Sequence, residues 1–159
     1  MKVIQSLLTI ILFSLLSLPS WSETKYDLVY RNGLFYKKFS STPFTGKISG
    51  ESFGTFKNGE RIGVWEDYHE NGQLHISKTF KNGNEQGLWV GNHDNGLLWG
   101  KGHLKQGLEV GFWEFFHKNG NPEKRGNYKD GKEEGLWEYF NEDGTFDRTK
   151  TFKNGVKVK

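Results

Sequence analysis

The chain contains no cysteine. No disulfide braces it, no thiolate serves as nucleophile or metal ligand, and no lipid can be attached through an N-terminal cysteine. Proline is scarce, with three residues, which argues against a linker or a disordered tail. After the first 22 residues no apolar run is long enough to span a membrane. Charge of one sign is not in excess: 22 Lys plus Arg face 19 Asp plus Glu, mixed along the chain. That balance lacks the basic stripe nucleic acid requires, and attraction to an anionic membrane surface is weak. No G-x-S-x-G occurs, and no glycine-rich loop precedes a helical pattern to cradle phosphate.

What the chain has is glycine and aromatic residues in register. Gly63-Val64-Trp65 recurs as Gly87-Leu88-Trp89, Gly111-Phe112-Trp113 and Gly135-Leu136-Trp137, each 24 residues after the last. A fixed period marks tandem copies of one structural unit. Each copy carries one turn signal at Asn71-Gly72, Asn95-Gly96, Asn119-Gly120 or Asp143-Gly144. A second turn closes it at Asn82-Gly83, Gln106-Gly107, Asp130-Gly131 or Asn154-Gly155. Two turns per period leave about 12 residues per half, enough for a short strand and its turn and too few for a connected helix. Each repeat therefore reads as a β-hairpin, and the array as a meander of about ten to twelve antiparallel strands. The expected fold is all-β: a single elongated, twisted antiparallel sheet of tandem hairpins.

Three segments are expected. Residues 1–22 have Lys2, the apolar run Leu7–Leu18, Pro19 and then Ser20-Trp21-Ser22, the pattern of a signal peptide cleaved after Ser22. This implies an exported chain, periplasmic or extracellular. Residues 23–45 contain Leu28–Tyr36 around Asn32-Gly33, the signature of a tight hairpin. It is expected to cap the array by pairing with its first strand, since a bare edge strand invites unwanted pairing. Residues 46–159 form the array, opening with a shortened repeat over 46–59.

Strand alternation puts Trp65 with Asp67, Trp113 with Phe115 and Trp137 with Tyr139 on one face. Leu74, Ile76 and Phe80 share a parity in the second strand. Both faces are thus expected to hold large apolar residues, and neither to be a continuous core. Gly63, Gly87, Gly111 and Gly135 are expected to open each strand where the chain turns. In the second repeat Gly91 and Asn92 stand where other copies have aromatics, and Trp99 is placed to fill the gap.

These units resemble a known family. Gly135-Leu136-Trp137-Glu138-Tyr139-Phe140, Asp143-Gly144 and Tyr128-Lys129-Asp130-Gly131-Lys132 resemble the bacterial variant of the MORN repeat. Asp27–Leu34 and Pro43–Lys47 resemble the segment that often precedes such arrays. The resemblance covers nearly all of residues 26–155. It implies hairpins stacked into one sheet, often with an aromatic groove, and a role in contact with proteins or membranes without catalysis.

Candidate chemistry is sparse. His69, His93 and His117 recur at the period. Equivalent residues lie two strands apart, about 9.6 Å, too far to share a metal whose ligands sit about 2 Å away. Glu66, Glu114 and Glu138 form a similar row beside many lysines and read as a charged face rather than a paired acid and base. No catalytic residue, metal site or cofactor is expected. The candidate contact surface is the aromatic row: Trp65, Trp89, Trp113, Phe115, Trp137 and Tyr139. Its expected occupant is a protein or peptide of the cell envelope laid along the row. The alternative occupant is a glycan, choline or membrane surface. Binding choline or sugar requires aromatics from intervening strands to converge, because Trp residues one period apart are too distant.

Overall fold

The computed structural model describes residues 22–158. The expected leader lies outside them apart from Ser22. After a short 3-10 turn at Lys25–Asp27, the chain runs through thirteen strands. A first hairpin is β1 (Leu28–Arg31) and β2 (Leu34–Lys37). Then come β3 (Gly46–Ile48), β4 (Ser52–Lys57), β5 (Glu60–Tyr68), β6 (Leu74–Lys81), β7 (Asn84–Asn92) and β8 (Leu98–Lys105). The last are β9 (Leu108–Phe116), β10 (Pro122–Lys129), β11 (Lys132–Phe140), β12 (Phe146–Lys153) and β13 (Val156–Lys157). Strands β3 to β13 form one antiparallel sheet of 11 strands in which every neighbour is the next in sequence. At about 4.8 Å per strand, such a sheet is roughly 50 Å across.

The turns explain the meander. Asn58-Gly59, Asn82-Gly83, Gln106-Gly107, Asp130-Gly131 and Asn154-Gly155 all have positive φ at both residues. That is the two-residue type I′ turn, whose twist matches the flanking strands. At the other end of each hairpin the turn is wider. His69 N–H bonds Gln73 O, and Gly72 N–H bonds His69 O. The same pattern recurs at His93, His117 and Asn141.

The core lies on one face, contrary to the sequence expectation that neither face would be continuous. Directly opposed residues of an antiparallel pair share a face, and Gly63 opposes Phe80 while Trp65 opposes Lys78. The side of Trp65 therefore holds Ile48, Phe56, Phe80, Leu104, Trp113 and Trp137, all buried. The other side carries Val64, Leu88, Phe112 and Leu136, each more than half exposed. Simple parity missed this because each Gly-x-Trp unit sits at a break in strand register. Opposite β4 the pairing jumps from Phe53–Glu66 to Thr55–Ile62. The jump recurs opposite β8 and β10.

The glycines of that unit are also placed differently from expectation. Gly63, Gly87, Gly111 and Gly135 lie inside β5, β7, β9 and β11, not in the turns. Their φ values are +68°, +97°, +69° and +76°, a backbone shape glycine adopts without penalty. They are bulge residues that let the following Trp tip onto the sheet.

The N-terminal hairpin does not extend the sheet, as the sequence suggested it would. β1 and β2 form a separate two-stranded sheet, with one bridge from Tyr36 to Pro43. The outer edge of β3 is met by a bridge from Glu23 to Ile48. The hairpin lies over the core face instead, with Leu28 and Phe35 packed on the Phe44, Ile48, Phe56, Trp65 and Phe80 cluster. Phe35 N–H bonds Gly59 O at 2.9 Å and fixes it there. Covering two aromatic rungs removes more apolar surface from water than lying beside a three-residue edge strand.

Candidate functional site

The aromatic face is built from an interleaved row. Phe56, Phe80, Leu104, Tyr128 and Phe152 come from one strand of each hairpin pair, and the four Trp residues come from the next. Phe56–Trp65 centroids are 4.8 Å apart, Trp65–Phe80 5.8 Å, Tyr128–Trp137 5.0 Å and Trp137–Phe152 6.5 Å, all edge-to-face. Such pairs add about 0.5–1.5 kcal/mol beyond the area they bury.

A second periodic position makes this row possible in a sheet that no second layer covers along most of its length. Gly54, Gly102 and Gly126 lie 24 residues or a multiple apart, under the Trp rings. A Cβ on them would come within 2.2, 2.1 and 2.4 Å of the Cδ2 atoms of Trp65, Trp113 and Trp137. Each indole therefore lies flat on bare backbone. These three Trp residues are 4%, 4% and 0% exposed. The contact surface expected from the sequence must be corrected accordingly: Trp65, Trp113 and Trp137 are floor, and a partner cannot grip them directly.

The second repeat breaks the pattern. Lys78 occupies the glycine position opposite Trp89. The Trp89 ring cannot lie there and turns along its own strand, where a Cβ on Gly91 would meet its Cη2 at 2.5 Å. Trp99 packs on the same Gly91 and meets Trp89 edge-to-face at 5.3 Å. Trp99 thus fills the gap left by Gly91, and it is 38% exposed. Phe115 stacks on Trp113 at 5.8 Å and contacts Trp99 at 6.5 Å. Trp89 and Phe115 are half-buried.

These rings floor a groove of about 320 Å³, with Leu104, Trp113 and Tyr128 in its base and Glu85, Glu109 and Lys124 at its rims. Tyr139 lies further along the face, half-buried and under Lys150 Nζ at 4.4 Å. The N-terminal hairpin closes the face over Trp65, so the open part begins at Trp89. Burial pushes the Tyr128 phenol up to about 12. Burial also lowers the Arg61 guanidinium from its ordinary value, beneath the hairpin and between the rings of Phe35, Trp65 and Phe80.

The periodic histidines join hairpin to hairpin. Nε2 of His69, His93 and His117 donates to the carbonyls of Asn92, Phe116 and Phe140 at 2.9, 3.0 and 3.0 Å. Asn71, Asn95 and Asn119 donate to Asp94 O, Lys118 O and Glu142 O at 2.6–2.7 Å. Each turn thus binds the next through two side chains, which occupies Nε2 of each histidine. On the opposite face Glu114 pairs with Lys101 at 2.9 Å, Glu138 pairs with Arg125 at 2.5 Å, and Glu66 accepts from Tyr68 Oη at 3.0 Å. Among the described residues no group of three His, Cys, Asp or Glu is placed to hold a metal ion.

Two residue sets were not singled out from the sequence. The glycine row at 54, 102 and 126 carries the same period as Gly-x-Trp and was legible in it. Glu109 was not, because its distinction depends on which neighbours have cations.

Two segments of the chain, residues 61–82 and 110–130, match the family model of the MORN repeat variant. These segments cover most of β5 and β6 and of β9 and β10. No curated protein matches the chain. Similar solved structures include the Glycosylation Associate Protein (Gap123) complex from Streptococcus agalactiae, with 17% identity and a TM-score of 0.38 over 72% of this chain and 20% of that one. Accessory secretory protein 1, 2 and 3 in Streptococcus pneumoniae is similar at 15% identity and a TM-score of 0.37, over 79% and 22%. The chain spans about a fifth of the length of these chains.

Proposed function

We propose that this is a non-enzymatic, exported repeat protein that acts as a protein-binding scaffold, its contact being the open part of the aromatic face. The observation that supports this reading most is the floor of half-buried Trp89 and Phe115 with exposed Trp99. Elsewhere on the face the rings are sealed by glycine seats, by the chain's own cations or by the N-terminal hairpin. A floor of aromatics beside a polar rim is the arrangement that anchors an extended peptide or a helix. Export rests on the leader pattern of residues 1–22.

The test is photo-crosslinking with a reactive residue at position 97, an exposed turn residue two before Trp99, in envelope preparations, followed by identification of the adduct and of its crosslinked segment. Trp89→Ala and Trp99→Ala should abolish the adduct while leaving the melting transition cooperative. An adduct that survives both changes sinks the proposal. Convergence of Trp89 and Trp99 also meets the geometric requirement of the choline or glycan reading. Titration of the indole fluorescence with choline and with cell-wall fragments separates the two, and a flat response removes the second.

A further inference from the structure

Along the aromatic face the rings are matched with the chain's own cations. Arg61 stands over Trp65 at 4.8 Å and over Phe80 at 5.3 Å. Lys124 stands over Phe115 at 4.9 Å and Trp137 at 5.2 Å. Lys150 and Arg148 stand over Tyr139 at 4.4 and 5.7 Å. Among the described residues no cation stands over Trp89, Trp99 or Trp113. The carboxylates of the face follow the same rule. Glu85 pairs with Lys78 at 2.6 Å and Glu133 with Lys124 at 3.7 Å. Glu109, the equivalent of both, makes no ion pair among the described residues.

Repeat alignment gives the cause. The cation that neutralises Glu85 is Lys78, seven residues before it. Seven residues before Glu109 stands Gly102, the seat of Trp113. Nine residues before it, where Lys124 stands relative to Glu133, is Gly100, so neither lysine of the neighbouring repeats has a counterpart at Glu109. Glu109 and the ring pair Trp89–Trp99 border the same groove. A carboxylate beside electron-rich ring faces attracts a cation by charge and by the ring quadrupoles together.

We propose that the groove between Trp89, Trp99 and Glu109 takes a cationic side chain, Arg or Lys, of the bound protein partner. This rests on the protein-binding reading above and names the chemistry of the residue that enters. The partner's cation fills the place in this repeat that Lys78 or Lys124 fills in the neighbouring ones. Charge complementarity favours a peptide over an anionic lipid or an acidic segment, because the uncompensated charge of the groove is negative. Lys124 at the far rim fixes the polarity: the partner's basic residue lies toward Glu109 and away from Lys124.

The test uses the full chain labelled with 15N and three probes: hexa-arginine, hexa-glutamate and choline. The expected result is a shift of the Trp89 and Trp99 indole N–H signals with hexa-arginine, and not with hexa-glutamate. Trp137, sealed by its neighbours, keeps its position. Glu109→Gln should weaken the hexa-arginine response about tenfold and flatten its salt dependence. Gly102→Lys, which would supply the missing cation but displace Trp113, is avoided; Leu104→Lys is the second variant and should block the site from its base. Unchanged binding in both variants overturns the inference, as does binding of choline with no response to hexa-arginine. If the crosslinked partner segment contains no Lys or Arg, the inference fails while protein binding stands. If no protein is captured at all, the underlying reading fails first.

Discussion

At the residue scale the fold depends on which glycines are small and which are left-handed. Gly126 has ordinary φ, but a methyl group there would meet Trp137 at 2.4 Å. Gly135 has open space around it and φ +76°. Gly126→Ala should therefore cost about 3 kcal/mol through displaced packing, against about 1–2 kcal/mol for Gly135→Ala through backbone strain. Urea melts of the two variants check this, and the reverse order would contradict the seat role. Trp hydrogen bonding gives a second contrast. Trp137 Nε1 donates to Asn127 O at 3.2 Å, whereas the buried Trp113 Nε1 has no acceptor. Trp137→Phe should thus destabilise by about 1 kcal/mol more than Trp113→Phe. Tyr128 sets an alkaline limit. Its folded value is raised to about 12 from 10.0, so its neutral form is favoured by folding. Stability from this group is complete below pH 10 and is lost as pH rises from 10 towards 12. Melts of Tyr128→Phe across that window should lack this component of the decline.

At the element scale each hairpin is joined to the next by strand pairing, by the aromatic row and by the His and Asn bonds between wide turns. His93→Ala leaves the Phe116 carbonyl without its donor and should cost about 1 kcal/mol. Asn95→Ala should cost a similar amount through Lys118 O. Because both act at one joint, the double variant should show a coupling, measured as departure from additivity in a double-mutant cycle. The hairpins themselves were plain in the sequence, since the period and the Asn-Gly and Asp-Gly pairs fix strand number and turn positions. The face assignment was not. A bulge at each Gly-x-Trp changes the local register, and alternation counted from one residue fails across it. The floor role of Trp65, Trp113 and Trp137 was hidden for the same reason, because it depends on glycines in the neighbouring strand. Trp99 was legible as the filler of the second repeat.

At the scale of the whole molecule, pairing within the 11-stranded sheet runs only between strands adjacent in sequence, so the stability of the array should be nearly a sum over joints. The N-terminal hairpin shields one end of the aromatic face without extending the sheet. Phe35→Ala should therefore loosen β3, β4 and β5 and leave β9 to β12 almost unchanged, as read by hydrogen exchange. Equal acceleration throughout would mean the sheet opens as a single unit. Sequence alone placed the hairpin at the correct residues but on the wrong surface. The packing of Leu28 and Phe35 onto Phe56 and Trp65 decides between edge and face, and strand patterning carries no signal of it.

The claim on which the functional account rests is that the uncovered rings of the second and third repeats are where a partner sits. Photo-crosslinking from position 97, compared with crosslinking from Leu136 on the opposite face, measures this directly. The account predicts one protein adduct from position 97, lost with Trp99→Ala, and none from position 136. The same adduct from position 136, or its persistence in Trp99→Ala, would contradict it.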